Sequence, residues 1–145
     1  MASIRFYEPA ETTWTEPVDA YPPAVLPLIP PVELTGSRVK IHHRGGDDEP
    51  QLLEVQVDPD VELASHAHLA TEIVLVLEGE LIVGARRLGA GASMLVPGGT
   101  LYAVKAGPEG VRFANFRGVG DYTYLDPASF LAWRDEQRAA TAGDT

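Results

Sequence analysis

The chain has 145 residues, 45% of them apolar and 22% charged, with no cysteine and four histidines. That length and mixture suit one domain with its own core, and they exclude wholesale disorder, disulfide frameworks, cysteine-ligated zinc, iron–sulfur clusters and thiol nucleophiles. The 21 acidic against 11 basic side chains leave a net charge of −10, a field that repels nucleic acid and anionic lipid, so neither is expected as a partner.

Residues 1–36 read as a proline-rich N-terminal arm, with prolines at positions 9, 17, 22, 23, 27, 30 and 31. Pro22-Pro23 and Pro30-Pro31 argue against regular helix, and the lost N–H donors argue against a central strand. Phe6, Tyr7, Trp14, Tyr21, Val25, Leu26, Leu28 and Ile29 give the arm more apolar surface than a free tail needs. The expectation is an extended segment packed on a body, its own or a neighbour's, and with it a homodimer. The first residues lack a basic stretch followed by an apolar run, and the longest apolar run, Ile73 to Leu77, falls far short of the roughly 18 residues of a membrane span. A cytoplasmic protein away from membranes is therefore expected.

Residues 37–120 alternate short strands with turn residues. Val39, Ile41 and His43 share one face of the first strand, with Lys40 and His42 on the other. Gly45-Gly46-Asp47-Asp48 marks a turn, and Leu53, Val55 and Val57 alternate with Glu54 and Gln56 before Asp58-Pro59-Asp60. Runs at 73–77, 81–83, 94–96, 101–104 and 111–116 follow, separated by glycine or proline turns. Strands this short and this regular predict an all-β barrel or sandwich. Residues 121–145 change character: Asp126 is a helix cap, Pro127 suits the first helical position, and Phe130, Trp133 and Gln137 share one side. A short C-terminal helix is expected to dock its aromatic face on the barrel and to fray from Ala139.

The chemistry concentrates at His66-Ala67-His68 and Glu72. In a strand the two imidazoles point the same way, and a turn over 69–71 lets Glu72 enter the next strand facing the same interior. Two imidazoles and a carboxylate are a site for one divalent first-row metal (Fe, Mn, Ni, Zn or Cu) with positions left open. A carboxylate heading the apolar run Ile73–Leu77 is costly to bury unless paired or ligated.

The segment His66 to Gly79 resembles the first signature of the cupin superfamily: His-x-His, three or four residues, Glu, six residues, Gly. Gly91, Pro97 and Gly99 resemble the second. The resemblance implies a single-domain cupin β-barrel, the double-stranded β-helix, and transfers the family's metal ligands to His66, His68 and Glu72. Three positions depart from it. Asp60 stands where the first signature has a glycine, Tyr102 where the second has a fourth, histidine ligand, and Ala106 where the second has an asparagine.

Three roles are open to Tyr102: a phenolate ligand, a hydrogen-bond donor or general acid behind the ligands, or a pocket wall. His43 is either a replacement third nitrogen or a strand-end residue bonded to solvent. Of the two arginines on the late strand, Arg112 and Arg117 have opposite parity, so one of them could reach the pocket and pair with an anionic substrate. The expected activity is a metal-dependent dioxygenase acting on a small, anionic or enolisable, diketone-like or aromatic ketone substrate, with Tyr102 and Glu72 as catalytic groups. Isomerase or lyase chemistry, or non-catalytic binding of a small ligand, are the alternatives.

Overall fold

The computed structural model describes residues 3–143. Eight strands carry the body: β1 (Trp14–Thr15), β2 (Ser37–His43), β3 (Gln51–Val57), β4 (Glu62–His66), β5 (Glu72–Val83), β6 (Arg86–Gly89), β7 (Ser93–Val96) and β8 (Tyr102–Arg117). They pair antiparallel in the order β1-β2-β3-β8-β5-β6, with β4 added to β8 and β7 to β5. Two long strands fold this sheet on itself. The second half of β8 lies between β3 and β5, while its first half pairs β4 and the far part of β5. Register breaks between Val76 and Glu78 and between Gly79 and Leu81 let β5 serve both layers. The result is an all-β cupin barrel, a double-stranded β-helix, closed over a core of Val57, Val74, Val76, Leu81, Val104, Ala106, Val111 and Phe113.

Backbone conformation explains the turn residues that the sequence offers. Gly79 sits at φ 78°, and a Cβ there would lie 2.2 Å from the Gly110 carbonyl oxygen. Only glycine fits where β5 bends this close to β8. Asp60, in the place where the signature has glycine, has φ 62° and is the one non-glycine residue with positive φ among the described residues. Aspartate is among the few side chains that tolerate that conformation, so the departure keeps the turn.

The N-terminal arm differs from the expected extended form. It holds two short helices, α1 (Pro17–Ala20) and α2 (Pro31–Gly36), and each begins with its proline. Proline at the first helical position gives up only an N–H that has no intrahelical acceptor, so it starts these helices where it would break their interiors. The arm packs on its own barrel: β1 pairs β2, Lys40 lies over the Trp14 ring at 4.8 Å, and Ala20 and Ile29 are buried.

At the other end, α3 (Pro127–Gly143) starts on Asp126, whose Oδ1 accepts the Ser129 N–H at 2.8 Å. It runs past Ala139, and Trp133 packs so closely on Gly99 that a Cβ there would meet the indole at 2.6 Å. No helix among the described residues is long and apolar enough to cross a membrane.

Gly79→Ala should lower the unfolding free energy by about 2–4 kcal/mol, because its Cβ has only backbone to push against and its φ is unfavourable. Urea denaturation followed by circular dichroism reads this directly. Gly84→Ala, which also has positive φ but open space around it, should cost less.

Candidate active site

The inward faces of the strands and the arm enclose a pocket with one apolar and one polar end. Val39, Leu53, Val55, Leu63, Val74, Leu81, Met94, Val104 and Phe113 form its walls. His66, His68, Tyr102, Asn115, Arg117 and Tyr124 converge at the polar end, and α2 adds Glu33.

The histidines come together much as their spacing predicts, though only His66 lies in a strand. It ends β4 opposite Tyr102, and the Ala67–Leu125 bridge carries the chain on to His68. The two rings are 5.0 Å apart, and His66 stacks on Tyr124 with 2° between the planes. His66 Nδ1 bonds the Ala64 carbonyl at 2.7 Å, and His68 Nδ1 bonds the Thr123 carbonyl. Carbonyls only accept, so both Nδ1 atoms carry the proton.

Burial keeps both rings neutral. It lowers His66 from its ordinary value, and burial followed by the Arg117 charge brings His68 down to about 4. Each Nε2 therefore keeps its lone pair, the tautomer and orientation that a metal-binding imidazole needs.

Glu72 heads β5 with 1% of its surface exposed, and its carboxylate is already engaged. Oε1 accepts the Tyr102 hydroxyl. Oε2 accepts Asn115 Nδ2 at 2.9 Å and Arg117 Nε and Nη2 at 3.2 and 2.9 Å. Arg117, itself 4% exposed, spends Nη1 on Gln51 Oε1 and the Asp121 carbonyl at 2.8 and 2.6 Å. Burial alone would raise the Glu72 pKa. The Arg117 charge, His68 and the bonds from Tyr102 and Asn115 outweigh it and hold the carboxyl below its ordinary range. Burial, and then the facing Glu72 charge, push the Tyr102 phenol well above its usual range. Tyr102 thus stands as a protonated donor to Glu72.

Among the described residues no three His, Asp or Glu side chains are grouped so as to hold a metal ion. The two imidazoles fit such an ion. Glu72 would have to share or give up bonds to bind one, because three donors crowd its Oε2 and the Tyr102 hydroxyl takes one of the two positions on Oε1.

His43 follows its strand-end reading, with protein partners in place of solvent: the register shift between Ile41 and His43 reverses its parity and turns it away from the pocket, bonded to Tyr7 at 3.0 Å and Glu49 at 3.1 Å. His42 also lies outside the pocket, on Glu54 at 2.5 Å. Arg112 pairs with Glu54 and Glu78, so Arg117 is the arginine that reaches the pocket. Four of its five N–H groups are committed within the protein, and its charge is paired with Glu72.

Glu33 was not foreseen. It is 4% exposed and accepts the Ala64 N–H, the same residue whose carbonyl fixes His66. Burial, opposed by that bond and reinforced by the Glu62 charge, raises its carboxyl to about 7. The only signal in the sequence is a lone acidic residue inside an otherwise proline-rich and apolar stretch.

A carboxyl raised from 4.5 to about 7 binds its proton more tightly in the folded than in the unfolded chain, so it costs stability as pH rises through that window. Glu33→Gln should therefore melt higher than wild type at pH 8 and close to it at pH 4.5. Thermal scans at the two pH values check the sign.

No protein-family model matches the chain, and no curated protein matches it. Solved structures do match in fold. One is an RmlC-like cupin from Ralstonia eutropha JMP134, at TM-score 0.64 and 17% identity over 87% of this chain and 74% of that one. A second is KdgF from Halomonas sp., at 0.59 and 20% over 80% and 94%. The third is the polyketide cyclase RemF from Streptomyces resistomycificus, at 0.54 and 21% over 63% and 71%.

Proposed function

We propose, from the premise that the chain is a cupin by fold, that it is a metal-dependent enzyme acting on a small, uncharged, enolisable carbonyl compound. The observation that carries this is the pair His66 and His68. Both Nδ1 atoms are anchored on backbone carbonyls, and both neutral rings line a pocket whose other walls are largely apolar. A divalent ion held by the two imidazoles would supply Lewis-acid polarisation of a substrate oxygen, or activation of dioxygen if it is iron.

The remaining work falls to the chain itself. The apolar walls seat an uncharged body and exclude water. Tyr102 keeps its proton on the phenol oxygen and directs it at Glu72, a donor ready beside the reacting end. Glu33 changes protonation near neutral pH within the same pocket. A diketone or aromatic ketone suits this arrangement better than a carboxylate, since the Arg117 charge is already paired with Glu72.

With Fe2+ loaded, the protein should consume dioxygen in the presence of 1-phenylbutane-1,3-dione in an oxygen electrode. His66→Ala and His68→Ala should abolish the uptake, and Tyr102→Phe should slow it by about 100-fold. Cleavage of the dione to an acid and a ketone without oxygen uptake, which consumes water, would instead assign hydrolytic carbon–carbon cleavage to the same pocket. The absence of both uptake and cleavage with all five metals would overturn the enzyme reading.

A homodimer is part of this reading, supported by a different surface from the arm. Leu52, Phe116, Ile73 and Leu95 stand side by side across β3, β8, β5 and β7 on the outer face, each at least 38% exposed. A row like this, flat and apolar, is self-complementary about a two-fold axis. Light scattering should give twice the chain mass for wild type and a single chain for Leu95→Glu.

A further inference from the structure

Arg117 is the member of the pocket with the largest consequence. It brings a full positive charge to a site where two imidazoles and a carboxylate would otherwise face one another. Its Nε and Nη2 both bond Glu72 Oε2, and Nη1 is tied back to Gln51 and to the Asp121 carbonyl. The guanidinium is therefore held in place by the scaffold as well as by its counter-ion. Asn115 shares Oε2, and Tyr102 takes Oε1.

A buried carboxylate needs one compensating cation. With Arg117 on Glu72 that need is met, and a dication on His66 and His68 would find a neutral ion pair instead of a negative ligand. If Glu72 turned to the metal, the guanidinium would be left buried beside a cationic centre. Like charges at this range in a low-dielectric interior repel strongly, and a buried charge that loses its partner is costly.

We infer that Arg117 is an internal competitor for Glu72: the carboxylate serves either as the counter-ion of the guanidinium or as the third ligand of a metal. Arg117 is thus a positioning residue that sets how tightly the pocket holds a dication. This rests on the reading of His66 and His68 as a metal mount.

The test is Zn2+ binding to the full chain by isothermal titration calorimetry. Arg117→Gln should bind Zn2+ at least tenfold more tightly than wild type, and the added Glu72→Gln in the double variant should erase that gain. Arg117→Gln leaves a buried carboxylate without its cation, so a melting curve accompanies each variant.

If Arg117→Gln does not fold, Arg117→Lys takes its place. Lysine grips a carboxylate through a point contact in place of a two-pronged fork, and should bind Zn2+ a few-fold more tightly than wild type. Histidine-dependent binding that is unchanged or weaker in the folded arginine variant overturns the inference. It would make Arg117 an aid to Glu72 as a ligand. Zn2+ binding that survives His66→Ala and His68→Ala, or that is absent from every variant, overturns the metal reading itself.

Discussion

The buried pair of Glu72 and Arg117 is the interaction around which the interior is arranged. Moving either ion from water into the barrel costs several kcal/mol, and attraction between the two offsets that only when the remaining lone pairs and N–H groups are satisfied. Here most are. Tyr102 and Asn115 add their bonds to the carboxylate, while Gln51 and the Asp121 carbonyl take two more of the guanidinium's N–H groups. Those partners come from β3, both ends of β8 and the loop that follows it, so the network ties the barrel's layers across its interior. Asp121 extends the same support, since its carboxylate accepts the Ala70 and Thr123 N–H groups at 2.8 Å each. Thr123 in turn fixes His68. The ion pair and His68 are therefore held by one set of contacts, while His66 is anchored separately on the Ala64 carbonyl.

The N-terminal arm belongs to this arrangement as much as the strands do. Pro17, Tyr21, Ile29 and Glu33 line the pocket, so the arm walls part of the interior and does not merely cover the barrel. Its link to the site runs through a single residue. Glu33 accepts the Ala64 N–H while His66 donates to the Ala64 carbonyl, and hydrogen bonds in such a chain polarise one another. A residue about thirty positions upstream in the sequence thus bears on the imidazole through one peptide segment.

How much of this was legible in the sequence follows from the physics of each signal. Strand positions and the inward direction of Glu72 rest on period-two alternation and on glycine turns, which are local and survive folding. Arg117 was readable as an inward candidate by parity with Phe113 and Asn115, because β8 keeps its register with β3 there. His43 could not be decided by parity, and its two readings stayed open. A bulge reverses parity at one residue, and nothing in Val39 to His43 announces it. Proline pairs were read as helix-breaking, whereas their effect depends on whether they fall at the start or the middle of a helix. The pairing of Glu72 with Arg117 lies beyond parity altogether: it joins residues 45 apart and depends on which opposite charge the fold brings closest.

Net charge completes the argument about what enters this pocket. The whole chain carries −10, while the polar end of its pocket holds a compensated ion pair and two imidazoles kept neutral by burial. A field of that sign raises the local concentration of cations and lowers that of anions before any contact is made. Inside, the Arg117 charge is offset by Glu72, two imidazole lone pairs stand where a dication could meet them, and the other walls are largely apolar. The long-range field and the imidazole pair therefore act on a cation in the same direction, and the cation they would disfavour most is one that must first take Glu72 from Arg117.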